Sequence, residues 1–296
     1  MNIDIIGAAL NLGANRLGVE KGFRTLNEKL DLKQIFSDHV VEVVGEVVSP
    51  SFDELQFEDS LMKNKKSIFD FNTRLANQVS ASIKKGNLPL VIGGDHALAW
   101  GSISGVADNY DNLGCIYIDA HGDFNPAELS PSHNVHGMHM AYLMGMVDSE
   151  DVNFYQFGVK LNKDNVYFVG TRSLDYGEKA LAKQYDLNIQ TSDDIRTLGI
   201  SKIAADLLKK IENSTLKHYH LSLDIDVIDP SLCPGTGVPE VNGITIKDVE
   251  YLLEKILATG KIVSIDFVEF NPLLDKKDKT LILCGDLLKQ INLNWK

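Results

Sequence analysis

The run Gly114-Cys-Ile-Tyr-Ile118, followed at once by Asp119-Ala-His121-Gly-Asp123, decides how the chain is read. The first segment is short and apolar on both faces. A strand tolerates that when helices cover both sides, as in a parallel sheet. The second segment carries chemistry. Side chains two apart on an extended chain point the same way, so Asp119, His121 and Asp123 are expected to converge. Ligands of open parallel sheets bind beyond the carboxyl ends of strands, where this motif lies. Carboxylate oxygen with imidazole nitrogen suits Mn, Fe, Co or Zn better than Ca or Mg. The competing reading of the motif alone is a polar turn that caps a strand end.

Working outward, Ile3–Ile6, Leu88–Ile92, Val166–Val169, His218–Leu223 and Ile262–Phe267 read as further strands. One of them runs into Asp224-Ile-Asp226-Val-Ile-Asp229-Pro230. There Asp224 and Asp226 are expected on one face, with Leu223, Ile225 and Val227 on the other. Two buried carboxylates side by side repel, and a cation keeps both ionised. Asp229, before Pro230, reads as a turn former. A third strand leads through Gly93-Gly94 to Asp95 and His96, which makes His96 an additional ligand and lets Asp95 orient its imidazole. The six candidates His96, Asp119, His121, Asp123, Asp224 and Asp226 include four carboxylates, more than one ion commonly takes. Two ions with bridging carboxylates use them better, and such pairs activate water for hydrolysis.

Helical patterns lie between the strands. Ser51-Phe-Asp-Glu54 is a capping-box pattern. It leads toward Ile68, Phe71, Leu75, Val79 and Ile83 at three-and-four spacing, with Lys84, Lys85 and Gly86 as stop signals. A second box, Thr245-Ile-Lys-Asp248, precedes Val249, Leu252, Leu253 and Ile256, and Gly260 ends that pattern. No linker or repeat divides residues 1–296, so one α/β domain is expected. Lys and Arg number 29 against 41 Asp and Glu, a net charge of −12. That balance repels phosphate backbones, excludes nucleic acid as the expected partner, and suits a cationic substrate or metal ions. Three cysteines, Cys115, Cys233 and Cys284, form no CxxC pair and fit a reducing compartment. The N-terminal residues read as a strand rather than a signal peptide, and no apolar run approaches the ~20 residues of a membrane span. A cytoplasmic protein without a membrane partner is expected.

The three motifs, in this order and spacing, resemble those of the ureohydrolase (arginase–agmatinase) family, and Leu12-Gly-Ala-Asn-Arg-Leu-Gly-Val19 extends the likeness toward the N-terminus. The resemblance implies a three-layer α/β/α sandwich around a mostly parallel sheet of about eight strands, and a homotrimer or homohexamer. It implies two Mn2+ ions, one held by His96, Asp119, Asp123 and Asp224, the other by Asp119, His121, Asp224 and Asp226. The activity implied is hydrolysis of L-arginine to L-ornithine and urea, through attack on the guanidinium carbon by a hydroxide held between the ions. Asp123 would then pass a proton to the leaving amine.

Within the family the loops select the substrate. Asn125 and Ser132 match positions that read an α-carboxylate, and Asp175, supported by Glu178, an acid that reads the α-amino group. Asn125 and Ser132 could instead satisfy loop backbone, and Glu178 could start a helix. His136 matches the proton-shuttling histidine and Glu269 the glutamate that pairs with the guanidinium. Thr236 matches a threonine near Glu269. His139 stands where many arginases have proline, and His133 where many have glycine, so the shape of this loop departs from the pattern. Agmatine or another guanidino acid remains an alternative substrate. A non-catalytic, metal-stabilised member and a formiminoglutamate-type hydrolase are the further readings.

Overall fold

The computed structural model describes residues 1–51 and 61–296. The capping box at Ser51–Glu54 therefore lies outside the described residues, apart from Ser51 itself. Eight parallel strands form one sheet: β1 (Asn2–Ala9), β2 (Val40–Val48), β3 (Leu88–Ile92), β4 (Gly114–Ile118), β5 (Val166–Thr171), β6 (Asn188–Thr191), β7 (Tyr219–Asp224) and β8 (Ile262–Val268). Their order across the sheet is β2-β1-β3-β8-β7-β4-β5-β6. The six strands read from the sequence are all present: β3 and β4 have the expected bounds, β7 is displaced by one residue, and β1, β5 and β8 are longer than their apolar runs. The edge strands β2 and β6 were not anticipated. β2 is only partly buried, and β6 has four half-buried residues, so neither shows the continuous apolar run of an interior strand.

The central strands β4, β7 and β8 are buried at every residue, because helices cover both faces. Residues 200–213, 246–257 and 279–294 pack on one face through Ile203, Leu207, Leu252, Leu253, Leu287 and Leu288. Residues 65–84 and 99–107 cover the other through Ile68, Phe71, Leu75, Trp100 and Ile103. Removing an apolar side chain of this size from water stabilises by about 2 kcal/mol, so each stripe holds its helix firmly to the sheet. The expected stop signals are in place: the helix Lys65–Lys84 ends before Gly86, whose φ is +81°. At the Thr245 box the Thr245 hydroxyl oxygen accepts from Asp248 N and the Asp248 carboxylate accepts from Thr245 N. No helix among the described residues is long and apolar enough to cross a membrane. All strands run the same way, so the loops after β3, β4, β7 and β8 emerge together.

Candidate metal centre

The loop after β3 turns on Gly93 and Gly94, with φ of +100° and +78°. A Cβ at Gly94 would lie 2.5 Å from the Ala8 carbonyl oxygen, so only glycine lets this turn pass under β1. It delivers Asp95 and His96 into the buried interior. Asp95 does not orient the His96 imidazole as expected. Its oxygens accept from the backbone of Gly13 and Ala97 at 2.8 and 3.0 Å and pin the Gly13 segment to the turn. Burial, with Glu269 nearby, pushes its carboxyl up to about 6. Ser222 on β7 holds the imidazole instead, with Oγ 2.7 Å from His96 Nε2. His96 Nδ1 then faces Asp119 Oδ2 at 2.8 Å and one oxygen each of Asp123 and Asp224 at 3.3 Å.

Convergence after β4 and β7 comes from turns rather than strand alternation. β4 stops at Ile118, and Asp119 Oδ1 accepts from His121 N at 2.6 Å. Asp123 carries a left-handed φ of +55°, which swings it back toward His96. β7 stops at Asp224, whose Oδ1 accepts from Asp226 N at 2.8 Å as residues 225–227 form one tight turn. A carboxylate that bonds the backbone two residues on is a turn-forming device. Here each turn also presents its remaining oxygen inward. His121 Nδ1 lies 3.0 Å from Asp226 Oδ2 and 3.4 Å from Asp119 Oδ1.

These donors fit divalent ions. His96, Asp119 and Asp224 form one set and Asp119, His121 and Asp226 another, with Asp119 common to both. A transition ion about 2.1 Å from its ligands places neighbouring donors about 3 Å apart, the spacing found here. Asp119 Oδ2 is buried without a hydrogen bond. Burial, with Asp226 and Asp119 adjacent, drives the Asp224 carboxyl well above its ordinary range. Burial alone would lower the His96 imidazole, but the adjoining carboxylates of Asp119, Asp123 and Asp224 outweigh it and raise it. Positive charge is what this cluster lacks.

Glu269, at the end of β8 with φ +69°, accepts from His96 N at 2.9 Å and lies 3.6 Å from His136 Nδ1. Burial opposes charging of His136, and Glu269 more than offsets it, so its net shift is upward. A cleft of about 200 Å³ opens above, lined among others by His121, Asp123, Asn125, Ser132, Asp175 and Glu240. Asn125 turns its amide onto Asp175 Oδ2 at 2.9 Å. The Ser132 Oγ accepts from Asn134 N and remains at the cleft surface. Glu178 is a buttress more than a reader of substrate, because its two oxygens accept from the backbone of Phe124 and Asp175 at 3.1 and 2.8 Å. Burial pushes its carboxyl up to about 8. Thr236 is buried with its Oγ1 unpartnered; it bridges through its backbone to Phe270, beside Glu269, while Val238 takes the cleft wall.

The sequence model of the Arginase family matches residues 1–293. The arginase of Bacillus subtilis (strain 168) is 38% identical over 280 residues, covering 94% of this chain and 93% of that protein. The solved arginase of Bacillus caldovelox superposes with a TM-score of 0.92 at 33% identity, covering 98% of this chain and 97% of that one. The chain belongs to the arginase family. A crystal structure of the Bacillus subtilis arginase agrees, with a TM-score of 0.90 at 36% identity and 98% of each chain covered.

Two features of this arginase-family site escaped the sequence reading. Tyr117, on β4, donates to Asp123 Oδ2 at 2.6 Å and lies 3.0 Å from both His96 Nδ1 and His139 Nε2. His139 Nδ1 in turn lies 3.0 Å from the His136 carbonyl, which can only accept, so that nitrogen carries the proton. Burial pulls His139 down to about 3, and the ring is neutral. The unexpected histidine thus ties the His136 loop through Tyr117 to a metal-site carboxylate. No sequence signal links positions 117 and 139. The second feature is Glu240, whose carboxylate faces His121 Nε2 at 3.8 Å. It stands alone beyond Pro239, without the spacing that marks a motif.

Proposed function

We propose that this chain is a binuclear manganese amidinohydrolase converting L-arginine to L-ornithine and urea. The observation that carries the reading is the pair of overlapping donor sets sharing Asp119, placed beneath a cleft walled by Asn125, Ser132 and Asp175. When bound by His96, Asp119, Asp123 and Asp224 and by Asp119, His121, Asp224 and Asp226, two divalent ions supply Lewis acidity and bring the pKa of water near neutrality.

The chain's own groups do the rest. Glu269 accepts guanidinium N–H bonds and fixes the planar cation, a pairing that favours two parallel contacts. Asp123 receives a proton from the attacking water and returns it to the departing δ-amine. His136, held toward its charged form by Glu269, donates to that amine or exchanges protons with solvent at the open cleft. Asn125 and Ser132 read the α-carboxylate and Asp175 the α-amino group. The reading extends to a homotrimer or homohexamer in the cytoplasm.

The test compares turnover of arginine, agmatine, guanidinobutyrate and formiminoglutamate by purified protein loaded in turn with Mn2+, Co2+ or Zn2+. The expected result is fastest urea release from arginine with Mn2+. Brisk turnover of agmatine with none of arginine overturns the substrate, and no turnover of any compound with any metal overturns the activity.

A further inference from the structure

We infer that Glu240 is a second carboxylate, beside Asp175, that reads the α-amino group of the substrate at the cleft mouth. The inference rests on the amino-acid substrate proposed above and concerns how this chain tells that substrate from one lacking the amine.

The carboxylates lining the cleft are Asp123, Asp175, Glu178 and Glu240. Asp123 belongs to the metal site. Glu178 is buried with both oxygens occupied by backbone N–H groups. Asp175 already takes the Asn125 amide on Oδ2. Its side chain also accepts from the backbone at the start of the following helix. An ammonium group carries three donors in a tetrahedral spread, which one carboxylate with sites already taken, and lying to one side, does not satisfy alone. Glu240, whose carboxylate also meets the Ser173 hydroxyl, supplies a second set of acceptor sites. Its side chain is about a third exposed, and its separation of 3.8 Å from His121 Nε2 is too long for a direct hydrogen bond.

The backbone at Glu240 is held in place by an internal guanidinium. Arg172 donates to the carbonyls of Glu240 and Asp226 at 2.8 Å, of Val227 at 3.0 Å and of Val241 at 3.1 Å. It follows β5 directly, and its neighbour Ser173 bridges to His121. Residues 240 and 241 are therefore fixed against both the metal turn and the segment leading to Asp175. A rigidly held acceptor discriminates better than one on a mobile loop, because no ordering cost is added on binding.

The competing role is structural: a carboxylate behind a metal-binding histidine can fix its ring and strengthen its ligation. Glu240→Gln separates the two. The substrates are L-arginine and 5-guanidinopentanoate, which is arginine without its α-amino group. The readouts are kcat and KM for each, bound manganese by elemental analysis, and L-ornithine binding by calorimetry. The inference predicts that the preference for arginine over 5-guanidinopentanoate falls about tenfold, mainly through KM, as expected for loss of one charge-assisted contact. Ornithine binding weakens by a similar factor, and manganese content stays at the wild-type level. Equal losses on both substrates, with or without loss of manganese, overturn it, as does an unchanged preference. A wild type that turns over no arginine overturns the proposed activity as well; an active wild type with an unchanged preference overturns only the role of Glu240.

Discussion

On the floor of the cleft, His96, Asp119, Asp123, Asp224 and Asp226 are each no more than 5% exposed, and carboxylates crowd one another there. At the rim, Ser132 and Asp175 are exposed on loops, and the surrounding segments are fastened through backbone hydrogen bonds, with Glu178 and Arg172 as the fasteners. The floor is incomplete by itself, since buried negative charge demands cations. The rim is held together by itself, through backbone groups paired inside the chain, while its carboxylates keep acceptor sites for a ligand. Metal binding should therefore govern the stability of the floor, and internal hydrogen bonds that of the rim.

The strongest challenge to that contrast is Asp119→Asn, at the residue common to both donor sets. Activity is expected to fall by at least about a thousandfold, with loss of bound metal by elemental analysis. Wild-type protein should melt about 5 °C higher when manganese is present at about a hundred times its Kd, and the variant should show little of that gain. A variant that keeps both ions would break the account of the floor.

Glu178→Gln probes the rim through pH. The buried carboxyl sits near pKa 8 in the folded chain against an ordinary 4.5, so the folded state holds a proton that the unfolded state releases between those values. Its contribution is most favourable below about pH 4.5 and is lost as pH rises through 8. The penalty reaches a few kcal/mol. In metal-free protein, the decline in stability between pH 5 and 8 should be shallower for the glutamine variant than for wild type, followed by urea denaturation. Parallel curves would show that Glu178 is already ionised.

The smallest effect is expected for Tyr117→Phe, which removes the hydroxyl that donates to Asp123 without changing the ring. Loss of a hydrogen bond behind a ligand typically lowers metal affinity by 10–100-fold. Competition with a chelating dye should show that loss, while KM for arginine at saturating manganese moves much less. A KM shift as large as the affinity loss would mean that floor and rim are not separable.

The same contrast explains what could be read from the sequence. The floor was legible because strand-terminal Asp and His residues announce themselves by type and spacing: Asp119, His121, Asp123, Asp224 and Asp226 do come together with His96. The geometry behind that convergence was not legible, because an extended chain and an Asx-type turn both put residues two apart on one side. Only the folded chain shows that β4 stops at Ile118 and β7 at Asp224. The partners of His139 and the placement of Glu240 were hidden for another reason. They depend on contacts between distant segments, such as Tyr117 with His139 or Arg172 with Glu240, and no local periodicity records those. Edge strands β2 and β6 escaped because partial exposure removes the apolar run that marked the interior strands.

The position of β8 has a consequence for how the protein is made. It is the last strand in chain order but lies in the middle of the sheet, between β3, which leads to His96, and β7, which leads to Asp224. Until residues 262–268 leave the ribosome and insert, the two halves of the ion-binding pocket have no common scaffold. A nascent chain ending before β8 can form local helices but not the native pocket. Completion of the donor set that joins His96 to Asp119 and Asp224 is thereby deferred until synthesis is nearly finished, whereas Asp119, His121 and Asp226 lie after β4 and β7, which pair with each other directly.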